Sequence, residues 1–537
     1  MLKNQKLYDA FTFLLLITSL LWLKEINFLF YDSTESPDFA EYFIYFDHFA
    51  NAEIKTMREH GLMYYYLHYL NYYFQYNSFK NFEIFFHKSI QEVNFWIYVY
   101  GLLGYFKLLK FFNFKNSTIY LTFLFLNFFP ISIVLRLVFK PEILAFALLP
   151  WVLFCIEKFK EKSNILYLFI FIPLFVSCIS LKGNIFALIC IYLFITNLGI
   201  FSRIQLKQLI LIFLLIIIAF LLISFENSSA NDKNILDVQS GATYRDNYDN
   251  KAPVKIIYNI NLYNLVTSPI KNYHADSFLG ITLLETNGDY FDLYWNNDSS
   301  GYSMSSREVI RFESSPEINR PKFNQDSNSL VIFTQKNTDL YLKSSVGLIL
   351  SIIFYLSLIK ILLSTSEYRK YISAFLLGGI LLLLHAITGF PVNNFDPDVG
   401  DTFKPHYYSF LFLLSTVFFV ASSLKKNKNF STHIFIYIFI MIFLLGFPKN
   451  PSQTLNQNLS YFIEYSDFCN FESRIYEARY GIDKVECFKK ESTTNLVDPT
   501  NKFFGDSVSV KPINLLLILL SFVSSIFISI YGRNFKD

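Results

Sequence analysis

The chain has 537 residues, 53% of them hydrophobic and 17% charged, where roughly 45–50% and about 25% are usual in soluble domains. The net charge of +3 is dispersed in short segments, which excludes a nucleic-acid binder with a clustered basic surface. The apolar excess lies in runs of roughly 17–22 residues, the length that crosses a bilayer, so a soluble multi-domain protein is excluded too.

The first run, Leu7 to Leu23, is followed by Lys24-Glu25-Ile26-Asn27. No small-residue cleavage site stands there, so it reads as a retained span rather than a signal peptide. Further spans are expected near 93–113, 118–138, 141–157, 164–181, 184–201, 207–225, 344–363, 371–390, 405–424, 430–447 and 512–532. The fold class is therefore an all-α polytopic membrane protein of about twelve transmembrane helices. Lys and Arg set its orientation. With the N-terminus inside, the inner segments carry Lys3 and Lys6, then Lys107, Lys110 and Lys115, then Lys158, Lys160 and Lys162. Arg203 and Lys207, Arg369 and Lys370, Lys425, Lys426 and Lys428, and finally Arg533 and Lys536 follow the same pattern. Both termini are expected in the cytoplasm.

The segments between spans divide the chain. A seven-span unit covers 1–225 and holds a long first outer loop, 24–92. An outer loop domain of mixed α/β character covers 226–343, with strand-like patches Lys255-Ile256-Ile257-Tyr258 and Ser329-Leu330-Val331-Ile332-Phe333. Four spans follow in 344–447, an outer loop in 448–511, and the last span with its tail in 512–537. Cys155, Cys178 and Cys190 lie in spans and read as small buried hydrophobes. Cys469 and Cys487 share the last outer loop, where an oxidising compartment allows a disulfide.

The first outer loop places Asp32, Glu35, Asp38, Glu41 and Asp47 close together just past the first span. Pro37 disfavours helix at Ser36, so a helix is expected from Asp38. Phe39, Tyr42, Phe43, Phe46 and Phe49 then recur at helical spacing, as in an interfacial helix. Leu62 to Phe74 is short for a crossing and holds His68 and Asn71, so it reads as interfacial or re-entrant. Further along, Arg136, Lys140-Pro141-Glu142 and Lys182 fall at outer turns. His385 lies near the outer end of a span, and Lys404 and His406 follow Asp396, Asp398 and Asp401. Ionisable groups at that depth are costly and tend to serve function, although snorkelling accounts for an isolated lysine. His274-Ala275-Asp276 and Gly288-Asp289-Tyr290-Phe291 read as an ordinary small-domain core and turn.

The arrangement resembles the GT-C class of integral-membrane glycosyltransferases, of bacterial type. The resemblance is carried by Pro37-Asp38-Phe39-Ala40-Glu41-Tyr42, by Gly61-Leu62-Met63-Tyr64, and by Phe139-Lys140-Pro141-Glu142. It departs from protein mannosyltransferases, having no adjacent Asp-Glu pair in the first loop, and from oligosaccharyltransferases, having no Trp-Trp-Asp run. The resemblance implies transfer of a sugar, with inversion, from a polyprenyl-phosphate donor at the outer face of a bacterial plasma membrane. The acceptor would be a glycan, lipid or protein. Asp38 would be the general base, with Glu35 and Glu41 as alternatives. Arg136, Lys140, Lys182, Lys404 and His406 would bind the donor phosphate, and Glu142 would orient a cation. Carboxylates beside a phosphate allow a shared divalent cation, but no spacing here demands one, and no cofactor is assigned. No His/Cys cluster suggests zinc, and no Gly-x-x-x-x-Gly-Lys-Ser/Thr run suggests direct use of cytosolic nucleotides. Two other classes stay open: an O-antigen polymerase or ligase, and a transporter or flippase of lipid-linked glycan. No repeated half is evident for the latter.

Overall fold

The computed structural model describes residues 2–30, 60–75, 82–199, 206–231, 260–267, 269, 274, 277–288, 338–364, 367–389, 408–427, 429–445 and 512–531. These residues are helical nearly throughout, and their one β-type pairing is an isolated bridge between His60 and Lys182. In chain order the first helices are α1 (Leu2–Phe30), α2 (Met63–Gln75), α3 (Phe82–Phe111), α4 (Asn116–Asn127), α5 (Pro130–Leu137) and α6 (Glu142–Lys162). Then come α7 (Leu166–Ile179), α8 (Gly183–Asn197), α9 (Leu206–Asn231), α10 (Leu262–Thr267), α11 (Phe278–Thr286) and α12 (Thr338–Leu363). The series ends with α13 (Arg369–Ile372), α14 (Ala374–Gly389), α15 (Ser409–Lys426), α16 (Phe430–Leu445) and α17 (Pro512–Tyr531).

Each apolar segment expected to span overlaps described helix. Five described helical stretches are long and apolar enough to cross a membrane: Gln5–Lys24, Leu209–Asn227, Leu342–Leu363, Ser409–Lys426 and Pro512–Ile530. A sixth crossing is available if α4 and α5 count as one broken span. Large apolar side chains stand exposed on the bundle surface, among them Leu14, Phe213, Ile353, Phe439 and Phe522. A water-soluble protein rarely leaves so much contiguous apolar surface open, whereas lipid accommodates it. The strand-like patches 255–258 and 329–333 lie outside the described residues.

The 118–138 segment is broken where one straight span was expected. α4 stops at Asn127, Phe129 is extended, and Pro130 opens α5 at an angle of 66°. The cause is local. Proline has no N–H to continue the ladder, forces the preceding residue out of helical geometry, and is well suited to a first helical turn. After α5, Val138 is extended, and a tight turn follows, closed by the Lys140 N–H donating to the Val138 carbonyl at 3.0 Å. Pro141 then starts α6.

α3, α6 and α15 form the middle of the bundle, and α15 is almost entirely buried. α3 and α6 approach closely because Gly101 and Gly104 face the partner. A Cβ on Gly101 would lie 2.9 Å from the Ala147 Cα, and one on Gly104 would lie 2.8 Å from Pro150 Cγ. One end of the bundle is rich in lysine. There the Glu157 carboxylate accepts from Lys160 at 3.1 Å, from the Tyr371 hydroxyl at 2.6 Å, and from Lys370, which fastens α6 to α13. At the same end Lys107 donates to the Ser529 carbonyl, tying α3 to the last helix. Cys155 and Cys178 are buried and Cys190 half-buried, all as free thiols, while Cys469 and Cys487 lie outside the described residues.

One short helix runs deep. Asn287, just past α11, donates its N–H at 3.0 Å and its Nδ2 at 3.2 Å to the hydroxyl of Ser351, near the midpoint of α12. It also accepts from the Tyr437 hydroxyl of α16 at 2.7 Å, and Thr286 pairs with Tyr355 at 2.7 Å. A segment assigned from sequence to a loop domain thus lodges among the long helices.

Candidate functional site

At the end opposite the lysine-rich one, polar groups from several helices converge. The chain enters this region at His60 and Gly61. The Gly61 N–H donates to the Leu181 carbonyl at 2.9 Å, and His60 pairs with Lys182 across the bridge. Only glycine fits there: a Cβ on Gly61 would sit 1.9 Å from the Ser180 carbonyl oxygen. The requirement is space between backbones. Next, the Leu62 N–H donates to Asn227 Oδ1 at 3.4 Å. α2 follows, and Tyr64, Tyr65, Tyr66, His68 and Tyr69 are fully buried. At 13 residues it is about 20 Å long, too short to cross a core of about 30 Å.

Lys182 lies just before α8 and Glu142 in the first turn of α6. Lys182 Nζ stands 3.1 Å from Glu142 Oε1, with the Glu142 side chain buried. The other oxygen, Oε2, has no hydrogen-bond partner among the described residues. A carboxylate at a helix start is favoured by the exposed backbone N–H groups there. Lys140, two residues earlier, is fully buried.

The Lys140 turn is held from behind by Asn94 of α3. Its Nδ2 donates to the carbonyls of Arg136 at 3.1 Å and Val138 at 2.9 Å, and its Oδ1 accepts from the Tyr64 hydroxyl at 2.9 Å. Arg136 is turned inward. Its Nε and Nη2 donate to the carbonyls of Ser132 at 3.3 Å and Asn127 at 2.9 Å, and its guanidinium lies 4.9 Å from the centre of the Tyr98 ring. It thereby satisfies a carbonyl that the break after α4 leaves without a helical partner. Asn127 extends the network to Tyr98 and Ser19.

His68 is enclosed between the rings of Tyr64 and Phe139, with centroids 4.7 and 4.8 Å away. Neither ring nitrogen makes a hydrogen bond among the described residues. Burial pushes its pKa down to about 3, an effect that Asn94 partly opposes, so the imidazole is neutral. At the edge of the region, Glu226 accepts from the backbone N–H groups of Ile513 at 3.1 Å and Asn514 at 2.8 Å, capping α17.

Of the residues proposed from sequence, Arg136, Lys140, Glu142 and Lys182 gather at this end of the bundle. Glu35, Asp38, Glu41, Lys404 and His406 lie outside the described residues. Reading the sequence missed Asn94, Glu226 and Asn227, and gave Tyr64 only as part of the Gly61-Leu62-Met63-Tyr64 pattern. A signal existed for Asn127, a lone amide inside an apolar run. Among the described residues no three His, Cys, Asp or Glu side chains converge as metal ligands. The chain matches no family model, no curated protein and no solved structure.

Proposed function

We propose that this chain is a membrane-embedded glycosyltransferase that moves a sugar, with inversion, from a polyprenyl-phosphate donor to an acceptor at the outer face. In this reading twelve helices span, both termini are cytoplasmic, and the 60–62 end of the bundle faces outward in a bacterial plasma membrane. One observation supports the reading: His60–Leu62, at the far end of the sequence segment that includes Asp38, pack against Lys182, which is paired with buried Glu142 near buried Lys140. Buried cations of this kind are where electrostatic stabilisation of a leaving phosphate is strongest.

In the reaction, the acceptor hydroxyl oxygen attacks the anomeric carbon and its proton passes to Asp38, with Glu35 or Glu41 as alternatives. The bond from that carbon to the phosphate oxygen breaks, and the polyprenyl phosphate leaves with the electron pair. Lys140 and Lys182 offset the charge it gains, with Lys404 and His406 as further candidates. Arg136 supports the Lys140 turn, because its guanidinium is already engaged by two carbonyls and a ring. The test is purified protein with radiolabelled polyprenyl-phosphate sugars and a panel of glycan, lipid and peptide acceptors. Transfer that disappears in Asp38→Asn supports the assignment; full transfer in that variant removes it and favours the polymerase or ligase class.

A second reading, a flippase of lipid-linked glycan, is favoured by the α4–α5 break and by the amide network reaching the middle of α12, since transporters use broken helices around central sites. Movement of labelled lipid across vesicles with no sugar transferred would select it.

A further inference from the structure

We propose that Asn94 is a positioning residue that couples the docked return of the first loop to the turn carrying Lys140 and Glu142. This inference deepens the transfer reading and rests on it for its catalytic consequence, but its structural half stands independently.

Arg136 lies in the last turn of α5, where helix carbonyls lose their regular partners, and Val138 just beyond it accepts from the Lys140 N–H. In a buried setting each unpaired carbonyl is costly. One side chain bonds both stretches, Asn94 Nδ2 donating to the carbonyls of Arg136 and of Val138. Those two bonds use both amide hydrogens, which fixes the amide plane and points Oδ1 at α2. There the Tyr64 hydroxyl donates to it. Asn94 and Tyr64 are both fully buried, so no water competes for these bonds. Three separate stretches of chain thus meet at one amide: the first-loop helix, α3, and the turn before α6.

Tyr64 lies three residues after Gly61, whose N–H is anchored to Leu181 beside Lys182. The Lys140 turn is therefore gripped from both sides. Asn94 holds its back, and Lys182 holds the Glu142 that follows it. Undocking the loop would pull on Tyr64 and release the amide. The amide would then let the turn relax and shift Lys140. Seating of residues 60–64 and placement of Lys140 become one event.

Substitution separates this from a packing role. Asn94→Asp keeps the shape but cannot donate to two carbonyls, and Tyr64→Phe removes one hydroxyl without opening a cavity. Hydrogen exchange on the full-length protein in detergent should show amides in 138–145 losing protection about fivefold in Tyr64→Phe, although the changed side chain is in α2, and more in Asn94→Asp. Loss of protection confined to α2 in Tyr64→Phe would overturn the coupling. Where the wild type transfers sugar, both variants should lower kcat about tenfold or more with donor KM held within about twofold. Unchanged kcat would remove the catalytic consequence. If the wild type transfers no sugar, the transfer reading fails, and the exchange result alone decides the coupling.

Discussion

Gly61→Ala isolates the docking of the first loop from its chemistry. The added methyl carbon would lie 1.9 Å from the Ser180 carbonyl oxygen, whereas ordinary contact begins near 3.4 Å. The two backbones must then separate by about 1.5 Å, which stretches the 2.9 Å bond from Gly61 to Leu181 beyond hydrogen-bonding range. A lost backbone bond costs about 1 kcal/mol, and strain from overpacking adds about 1–3 kcal/mol. Docking should weaken by about 2–4 kcal/mol, or roughly two orders of magnitude in its equilibrium. Hydrogen exchange of the amides in 61–66, which reports the open population, should speed up by about a hundredfold in detergent-solubilised Gly61→Ala. A rate within about twofold of wild type would refute the argument that the backbones touch here.

Three further outcomes follow from the same geometry. His68 is held neutral with its pKa near 3 in the folded state, so the unfolded state binds a proton that the folded state does not as pH drops through about 6.5. Stability should be full above that pH and fall by about 1.4 kcal/mol per unit on acidification toward pH 3, seen as a shifting denaturation midpoint that His68→Phe flattens. Lys182→Met should destabilise by about 3–5 kcal/mol, because it strands the buried Glu142 carboxylate; Glu142→Gln should cost less, because Lys182 is partly exposed, and the double variant should cost less than their sum. Simple additivity in a thermal unfolding cycle would show the pair to be uncoupled. At the lysine-rich end, Glu157→Gln should loosen α13 from α6, detectable as faster exchange in 369–372 with little change at 60–66.

Run length and hydrophobicity located the helices well, because the membrane-scale signal is carried by each segment alone. Arg136, Lys140, Glu142 and Lys182 lie at or beside the ends of those helices. What they touch did not follow. Arg136 reads from sequence as a donor-phosphate cation at an outer turn, and the carbonyls left free at the Pro130 break explain its inward turn. That break was legible in Pro130 itself, yet the apolar run is continuous through it, and hydrophobicity alone does not mark a bend. Asn94 acquires its role from residues some thirty to forty positions away on either side, and such pairing leaves no mark in a single sequence. Phe278–Thr286 was too short to register as part of the bundle, so its segment was assigned to a loop domain.

The depth of α11 bears on the order in which the chain assembles. Its hydrogen-bond partners, Ser351, Tyr355 and Tyr437, are all synthesised after it. While it waits, the side-chain amide of Asn287 has no place in hydrocarbon and must stay hydrated. α11 therefore seats late, as a plug pushed into a preformed socket rather than a segment threaded in turn. A chain stopped before Tyr437 would leave that socket incomplete and the plug outside it.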